Sequence, residues 1–138
     1  MSCERRSAED FEAIRRLMAD YGRLLDLRDA PSWAALFTPD GAWSGGERYG
    51  VIAGRAALAA FIEREFAAAA PCVHIFGAPA IAMHDDGASA WSRWMLVEQT
   101  GSGLRIALAG HYNDSLALTP EGWRFRRREV AVDLPAGA

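Results

Sequence analysis

The chain has 138 residues, of which 51% are hydrophobic and 24% charged, and its net charge is −3. A chain of this length can bury a substantial apolar core, so the composition predicts one globular domain over residues 1–138. Acidic and basic residues are mixed, which predicts neither a nucleic-acid partner nor a membrane partner, and no apolar run reaches the roughly 18 residues of a membrane span.

The N-terminus and the cysteines favour a cytoplasmic location. The first residues are polar and do not have the pattern of a signal peptide. Two cysteines, Cys3 and Cys72, are too few for a disulfide framework, which favours a reducing compartment. The histidines at positions 74, 84 and 111 lack metal-ligand spacing, so we expect no metal site.

The N-terminal half is predicted to be mainly helical. Apolar residues at spacings of three and four predict a first helix over 8–28, with Ser7 as its N-cap and Pro31 ending it. Ser32 is expected to cap a short second helix that includes Phe37. A short strand at 42–44 and a glycine-rich loop at 45–50 then precede a third helix, Gly54–Ala69.

After Pro71 the apolar period changes from about 3.6 to 2, which predicts strands. We expect them at 72–84, 88–100, 104–118 and 122–133, separated by turns rich in glycine. Three helices followed by an antiparallel meander predict an α+β fold, with the helices packed on one face of a curved sheet. Residues 134–138 are expected to form a loose tail.

The chemistry is predicted to centre on His74, near the start of the first long strand. Cys72 lies two residues earlier, so both side chains share one face of the strand. Asp26 falls at the edge of the first helix's apolar stripe, and Tyr21 lies within that stripe. A carboxylate at a core boundary needs a partner, and an imidazole is the obvious one. A core histidine and a solvated aspartate are the structural alternatives.

Strand parity selects further candidates. In the last strand, apolar residues occupy odd positions before residue 126 and even positions after 129, which predicts a bulge between them. Arg128 is in phase with the even positions, so it is predicted to point inward, with a solvated rim position as the alternative. Parity allows only one of Tyr112 and Asn113 to face a cavity, and the same ambiguity holds for Arg93 and Trp94.

The order of these segments resembles the SnoaL-like group of the nuclear transport factor 2-like (NTF2-like) superfamily over almost the whole chain. The first helix with Tyr21 and Asp26 precedes L-F-T-P-D-G-A-W, and H-I-F-G, A-G-H-Y-N-D and E-G-W-R-F-R-R-R follow. The resemblance implies a cystatin-like cone, in which three N-terminal helices pack on a strongly curved antiparallel sheet that encloses a pocket.

Within this group the chain is most similar to three lyases: scytalone dehydratase, bile acid 7α-dehydratase and hexachlorocyclohexane dehydrochlorinase. Those enzymes carry an aspartate on the first helix and a histidine at the start of the long second strand, where Asp26 and His74 stand. Tyr21 matches a tyrosine of the bile acid dehydratase. The dehydrochlorinase has a lysine there, which disfavours halide elimination by this chain.

The resemblance implies a cofactor-independent lyase of the dehydratase type. An Asp26–His74 pair would act as general base, Tyr21 would donate a hydrogen bond to the substrate, and Arg128, which matches an arginine of the dehydrochlorinase, would stabilise negative charge. The substrate would be a small, hydrophobic, ring-containing molecule. The residues expected to bind it, two of which match pocket residues of the dehydrochlorinase (Trp43 and Cys72), are Trp43, Tyr49, Cys72, Phe76, Trp94, Tyr112 and Asn113.

Two other functions are open at this point. One is an isomerase or cyclase that uses the same base on a carbonyl substrate. The other is a non-catalytic module of the same fold that binds a ligand or holds a partner subunit. A sheet face that carries Trp91, Arg93 and Met95 predicts a homo-oligomer, and the resemblance implies that it is a trimer or a dimer.

Overall fold

The computed structural model describes residues 3–137, with side chains from Ser7 onward. The described residues follow the predicted division into a mainly helical N-terminal half and a C-terminal half of strands, with two strands among the helices. The bounds of the helices and strands are α1 (Cys3–Asp26), α2 (Ala30–Ala34), β1 (Phe37–Ser44), α3 (Gly46–Tyr49), β2 (Val51–Ala53), α4 (Arg55–Ala68), β3 (Cys72–Phe76), β4 (Ala80–His84), β5 (Gly87–Thr100), β6 (Gly103–Thr119) and β7 (Gly122–Leu134).

The strands form one curved sheet in the order β2-β1-β7-β6-β5-β3. Strand β4 pairs with the same edge of β5 as β3 does, but with the N-terminal part of β5. Strand β1 runs parallel to β7, whereas the other pairings are antiparallel. The sheet is therefore mixed, and the predicted curved antiparallel sheet is confirmed except for this one parallel pairing. The helices cover one face, called the inner face below, and the opposite face is called the outer face.

Helix α1 is longer at its N-terminus than its apolar pattern predicted. It begins at Cys3, so Ser7 lies inside the helix and is not its N-cap. It ends at Asp26 because Arg28 adopts a left-handed backbone conformation, with φ of 57°. Pro31 does not end α1; it lies in the first turn of α2, where proline is favoured.

Helix α2 is capped by Asp29 and not by Ser32. The Asp29 carboxylate accepts a hydrogen bond from the Ser32 backbone N–H at 3.1 Å. This hydrogen bonding with Ser32 lowers the pKa of the Asp29 carboxyl. The helix ends at Ala34, so Phe37 begins strand β1.

Two predicted segments are more finely divided in the structure. The glycine-rich stretch at 45–50 contains the short helix α3 and leads into β2. The strand predicted at 72–84 is two strands, because the chain leaves the ladder after Gly77, at a stretch that includes Pro79, before β4 pairs again with β5. This break lies beside the inner cavity described below.

The core lies between the helices and the inner face of the sheet. Helix α4 contributes Leu58, Phe61 and Ile62, and β7 contributes Trp123 and Phe125. The predicted bulge is confirmed at residue 126, since Ser115 pairs with residue 127 and the next residue of β6 pairs with Phe125. None of the helices in the described part of the chain is long and apolar enough to cross a membrane. Ala138, at the end of the predicted tail, lies outside the described residues.

Candidate functional site

His74 and Asp26 form a hydrogen-bonded pair where β3 packs on the C-terminal end of α1. His74 Nδ1 lies 3.0 Å from Asp26 Oδ1, and the His74 backbone N–H donates to the same oxygen at 3.1 Å. The side chains retain 22% and 29% of their exposure. Two hydrogen bonds from one residue fix the carboxylate against the strand. An Nδ1–H that donates to Asp26 leaves Nε2 free to accept a proton.

Arg128 is the centre of a second, fully buried polar group. It is 1% exposed, which confirms the predicted inward direction. Its Nε and Nη2 donate to the two carboxylate oxygens of Asp114, each at 2.7 Å, so Nη1 is not used by this ion pair. The guanidinium carbon lies 3.8 Å from the Tyr112 ring centroid and 4.2 Å from that of Tyr21. Burial alone would lower the pKa of Arg128, but the negative charge of Asp114 raises it, so the guanidinium stays charged.

Tyr21 and Tyr112 complete this buried group. Trp43 Nε1 donates a hydrogen bond to the Tyr21 hydroxyl at 3.1 Å. Burial raises the pKa of Tyr21, although the nearby Arg128 charge opposes that shift. Burial raises the pKa of Tyr112 well above its ordinary value. Both phenols are therefore protonated at neutral pH and able to donate hydrogen bonds.

Phe76 joins the two polar groups. It lies two residues after His74 on the same face of β3, and the two rings are nearly parallel at 19° with centroids 6.2 Å apart. Its ring centroid is 6.3 Å from that of Tyr21 and 5.9 Å from that of Tyr112. The aspartate–histidine pair and the arginine group are thus separated by one aromatic ring.

A cavity of about 330 Å³, called the inner cavity, opens beside Phe76. Its volume is at the lower end of the range of small-molecule sites, which begins near 300 Å³. Its apolar walls include Met18, Phe76 and Pro79, and its polar groups include Arg15, Ser92 and Arg128. Neither His74 nor Asp26 is among the described residues that line it.

The structure shows which residue of each ambiguous strand pair faces inward. Tyr112 and Trp94 point inward, and their rings stack at 5.8 Å with 26° between planes. Asn113 is exposed on the outer face, so its predicted place in the inner pocket is wrong, because consecutive strand residues face opposite sides. Arg93 also faces outward, where it donates to Asp133 at 2.8 Å.

The remaining residues that were predicted to bind substrate lie away from the inner cavity. Trp43 is buried, and its ring centroid lies 5.7 Å from that of Tyr49. The Tyr49 hydroxyl donates to Glu65 at 3.2 Å. Cys72 is a free, partly buried thiol whose pKa is raised by burial and then by the Asp26 charge, so it remains protonated. These three residues do not belong to the described lining of the inner cavity.

The sequence analysis missed Asp114 and the part of the cavity wall that α1 provides. The signal for Asp114 was available, since it lies two residues after Tyr112 and shares its face of the strand. Ser92 follows by the same parity from Trp94. Arg15 also borders the inner cavity, and nothing in the helical pattern of α1 predicts that position.

The outer face carries a second histidine–aspartate pair that the sequence did not predict. His111 Nδ1 lies 2.7 Å from Asp133 Oδ2, the oxygen that also accepts from Arg93. The Trp91 ring stacks on His111 with centroids 5.9 Å apart. A groove of about 430 Å³ on this face is lined by Trp91 and Asn113 among others. Within residues 3–137 no group of three or more His, Cys, Asp or Glu side chains is placed to hold a metal ion.

Known proteins share this sequence pattern and this fold. Residues 6–129 match the SnoaL-like domain. A structure of a nuclear transport factor 2-like protein with a cystatin-like fold, from Novosphingobium aromaticivorans, is 30% identical, covers 97% of this chain and 88% of its own, and has a TM-score of 0.88. A protein of unknown function from Mycobacterium tuberculosis is 26% identical, covers 96% of this chain and 77% of its own, and also has a TM-score of 0.88.

A candidate scytalone dehydratase, also from Novosphingobium aromaticivorans, is 25% identical and has a TM-score of 0.80. The similarity covers 93% of this chain and 87% of that one. Among curated proteins, none matches the sequence significantly.

Proposed function

Since the chain belongs to the SnoaL-like family, with a nuclear transport factor 2-like, cystatin-like fold, we propose that it is a cofactor-independent lyase of the dehydratase type. The observation that carries this proposal is the 3.0 Å hydrogen bond between His74 Nδ1 and Asp26, one aromatic ring away from a cavity with apolar walls. The similarity to a candidate scytalone dehydratase supports the same reaction class.

His74 is the proposed general base. Asp26 holds the imidazole through Nδ1 and stabilises the imidazolium that forms when Nε2 takes a proton from a substrate carbon. The electron pair of the broken C–H bond forms the C=C bond as the C–O bond to the leaving hydroxyl breaks. The proton returns from Nε2 to that hydroxyl, so the products are the alkene and one water. A positioned base of this kind contributes about 10²–10⁴ in rate.

The buried polar group supplies the proposed oxyanion stabilisation. The Tyr21 and Tyr112 phenols stay protonated because burial raises the pKa of each, so they can donate to a developing enolate oxygen. Arg128 adds a positive charge at the same place, with Nη1 as the nitrogen not used by Asp114. Its charge is partly neutralised by that aspartate, so we assign the larger part of the stabilisation to the phenols.

The inner cavity indicates the kind of substrate. A volume of about 330 Å³ suits a molecule with a single ring, and Met18, Phe76 and Pro79 provide apolar contacts for it. Ser92 and Arg128 provide polar groups at the same cavity, so the ring is expected to carry an oxygen acceptor such as a carbonyl. A β-hydroxy carbonyl compound on a six-membered ring satisfies both requirements.

A mass-resolved substrate screen tests this function. We expect the wild-type protein to convert at least one cyclic β-hydroxy ketone to a product lighter by the mass of one water, and His74→Ala to form none. His84→Ala is the matched control, since His84 is exposed and its Nε2 contacts Ser89 at 2.8 Å. An unchanged yield with His74→Ala would remove the assigned base. A product of unchanged mass would indicate the isomerase or cyclase alternative, and binding without turnover would indicate a ligand-binding module.

We further propose that the outer face binds a second copy of this chain. Exposed apolar side chains lie there on three adjacent strands, at Val73, Ile75, Trp91, Leu104 and Ile106. The charges on the same face are balanced, with Arg93 and Arg127 against Glu129 and Asp133. A neutral, apolar face of this kind is complementary to itself, which favours a copy of the same chain over nucleic acid.

Light scattering after size-exclusion chromatography tests the assembly. We expect the wild-type protein to elute as a dimer or trimer, and Ile106→Asp to elute as a monomer with unchanged circular dichroism. Leu27→Asp is the matched control, because Leu27 is similarly exposed at 65% but lies at the end of α1. A monomeric wild-type protein, or an oligomer that survives Ile106→Asp, would overturn this interface.

A further inference from the structure

Phe76 lies between His74 and the inner cavity. The contacts of β3 with α1 follow in order along the helix axis, with Asp26 against His74 and Gly22 against Phe76. About one turn further toward the N-terminus of α1, Ala19 and Met18 line the cavity. The aromatic ring therefore fills the space through which a molecule in the cavity would have to reach the imidazole.

Gly22 is what allows the ring to lie against α1. A Cβ atom at residue 22 would overlap with the Phe76 ring, whose Cε2, Cδ2 and Cζ atoms are its nearest neighbours. Gly22 is a mid-helix glycine, which costs about 1 kcal/mol relative to alanine in an exposed helix. A larger residue at position 22 would raise the helix propensity of α1 but would displace the Phe76 ring.

The surroundings of Phe76 leave the ring a way to move. Strand β3 is at the edge of the sheet, paired on one side with β5. The ladder breaks one residue after Phe76, since the Gly77 backbone N–H still donates to the Arg93 carbonyl at 3.0 Å and β4 begins only at Ala80. One side of the ring borders the inner cavity. A movement of the ring that opens the passage to His74 has to break its contacts with Tyr21 and Tyr112, whose ring centroids lie 6.3 and 5.9 Å away.

We propose that Phe76 is the gate that controls passage from the inner cavity to His74, and that it sets the size of substrate that reaches the base. This inference rests on the proposed function, because it assigns the cavity as the place where the substrate binds. With the ring in its present position, a one-ring molecule fits the cavity without touching the imidazole. When the ring turns, the cavity and the His74 Nε2 atom become one continuous site.

Nuclear magnetic resonance separates the gate from the chemistry. The protein is labelled with ¹⁵N in its three histidine rings and ¹³C in its methionine methyl groups, and phenol is the probe. In the wild-type protein we expect phenol to shift the Met18 methyl and to leave His74 Nε2 nearly unshifted. In Phe76→Ala, and in the milder Phe76→Leu, we expect phenol to shift both. Phe66→Ala, which removes a partly buried phenylalanine of α4, is expected to behave as wild type.

The outcomes distinguish the gate from the proposed function. Equal His74 shifts in the wild-type protein and both Phe76 variants would overturn the gate and leave the cavity as the substrate site. A Met18 shift without any His74 shift in Phe76→Ala would also overturn it. An unshifted Met18 methyl in all these proteins would remove the cavity as a ligand site, and the gate and the assigned substrate site would fail together.

A substrate from the screen gives a second readout. We expect Phe76→Ala to raise the ratio of kcat/KM for a two-ring substrate over a one-ring substrate by about tenfold or more, because the removed ring leaves room for the second. Phe66→Ala, which removes a ring of α4 outside the described lining of the cavity, is expected to keep the wild-type ratio. An unchanged ratio in Phe76→Ala would overturn the assignment of Phe76 as the residue that sets substrate size.

Discussion

The molecule holds two histidine–aspartate pairs, one on each face of the same sheet. In both, the histidine uses Nδ1, at 3.0 Å from Asp26 in one and 2.7 Å from Asp133 in the other. Their histidines are similarly exposed, with 22% for His74 and 24% for His111. By distance and exposure alone, the outer pair is as good a candidate base as the inner one.

The surroundings of the two pairs differ. Asp133 is shared between His111 and Arg93, and its pKa is lowered by the hydrogen bond from His111 and by the charge of Arg93. Asp26 has no arginine among its hydrogen-bond partners in the described structure. A carboxylate already paired with a guanidinium stabilises an imidazolium less, because part of its charge is balanced.

The two faces also differ in what lies next to the histidine. His74 adjoins Phe76 and, beyond it, buried phenols and a guanidinium that can stabilise an oxyanion. His111 adjoins Trp91 on an exposed face that is suited to contact another protein copy. A histidine–aspartate pair therefore indicates catalysis only together with a cavity and a group that stabilises charge.

The largest expected effect is on kcat/KM, where substitutions of the two aspartates should differ. Asp26→Asn should lower kcat/KM by about 10²–10⁴-fold, because the amide neither fixes the imidazole tautomer nor stabilises the imidazolium. Asp133→Asn should leave kcat/KM unchanged. Steady-state kinetics on a substrate from the screen measures both variants. Equal losses in the two variants would end the distinction between the pairs.

The two arginines should differ in stability. Arg128→Met leaves Asp114 buried without a partner and should lower the free energy of unfolding by about 3–5 kcal/mol. Arg93→Met breaks an ion pair whose side chains are 60% and 36% exposed, and should cost less than about 1 kcal/mol. Urea unfolding followed by circular dichroism compares them. A cost for Arg128→Met as small as that for Arg93→Met would show that the buried pair is not held as described.

The buried phenols should make the protein sensitive to alkali. The pKa of Tyr112 is raised by burial, so its contribution to stability is full below the unfolded-state value near 10 and is lost as pH rises through the folded-state value. Tyr112→Phe should therefore lose less stability than wild type between pH 9 and 11. The pKa of Tyr49 is also raised by burial, but less, so Tyr49→Phe is expected to flatten the alkaline profile less than Tyr112→Phe. Identical alkaline profiles for wild type and Tyr112→Phe would contradict the shift.

The smallest effect is expected from the outer aspartate in acid. The pKa of Asp133 is lowered, so its contribution to stability is present above the unfolded-state value of 3.8 and is lost as pH falls through the folded-state value. Asp133→Asn should flatten the loss of stability between about pH 5 and 3 relative to wild type. Urea midpoints at several pH values measure this slope. A steeper acid slope in the variant would reverse the assigned sign.

The fold and much of the candidate site follow from periodicity. The apolar spacing of α1 places Tyr21 inward, and the phase change in β7 places Arg128 inward through the bulge at residue 126. Both predictions depend only on local patterns, since each compares neighbours along one element. The parallel pairing of β1 with β7 does not, because residues far apart in the chain set it.

The details that define the cavity could not be predicted. The break between β3 and β4 depends on which residues return to β5, and the Phe76 position depends on a glycine on another element. The outer pair escaped notice because His111 and Asp133 meet across two strands, through a second irregularity near Gly110. Local patterns in a single sequence do not show such contacts between distant residues.

A crystal structure with a product from the substrate screen tests most directly whether the inner cavity holds the substrate and His74 is the base. We predict that the ring of the product lies in the inner cavity, with the Phe76 side chain turned away and His74 Nε2 within hydrogen-bonding reach of the bound molecule. A product in the outer groove beside Trp91 and Asn113, with the inner cavity empty, would contradict the account and assign the chemistry to the His111–Asp133 pair.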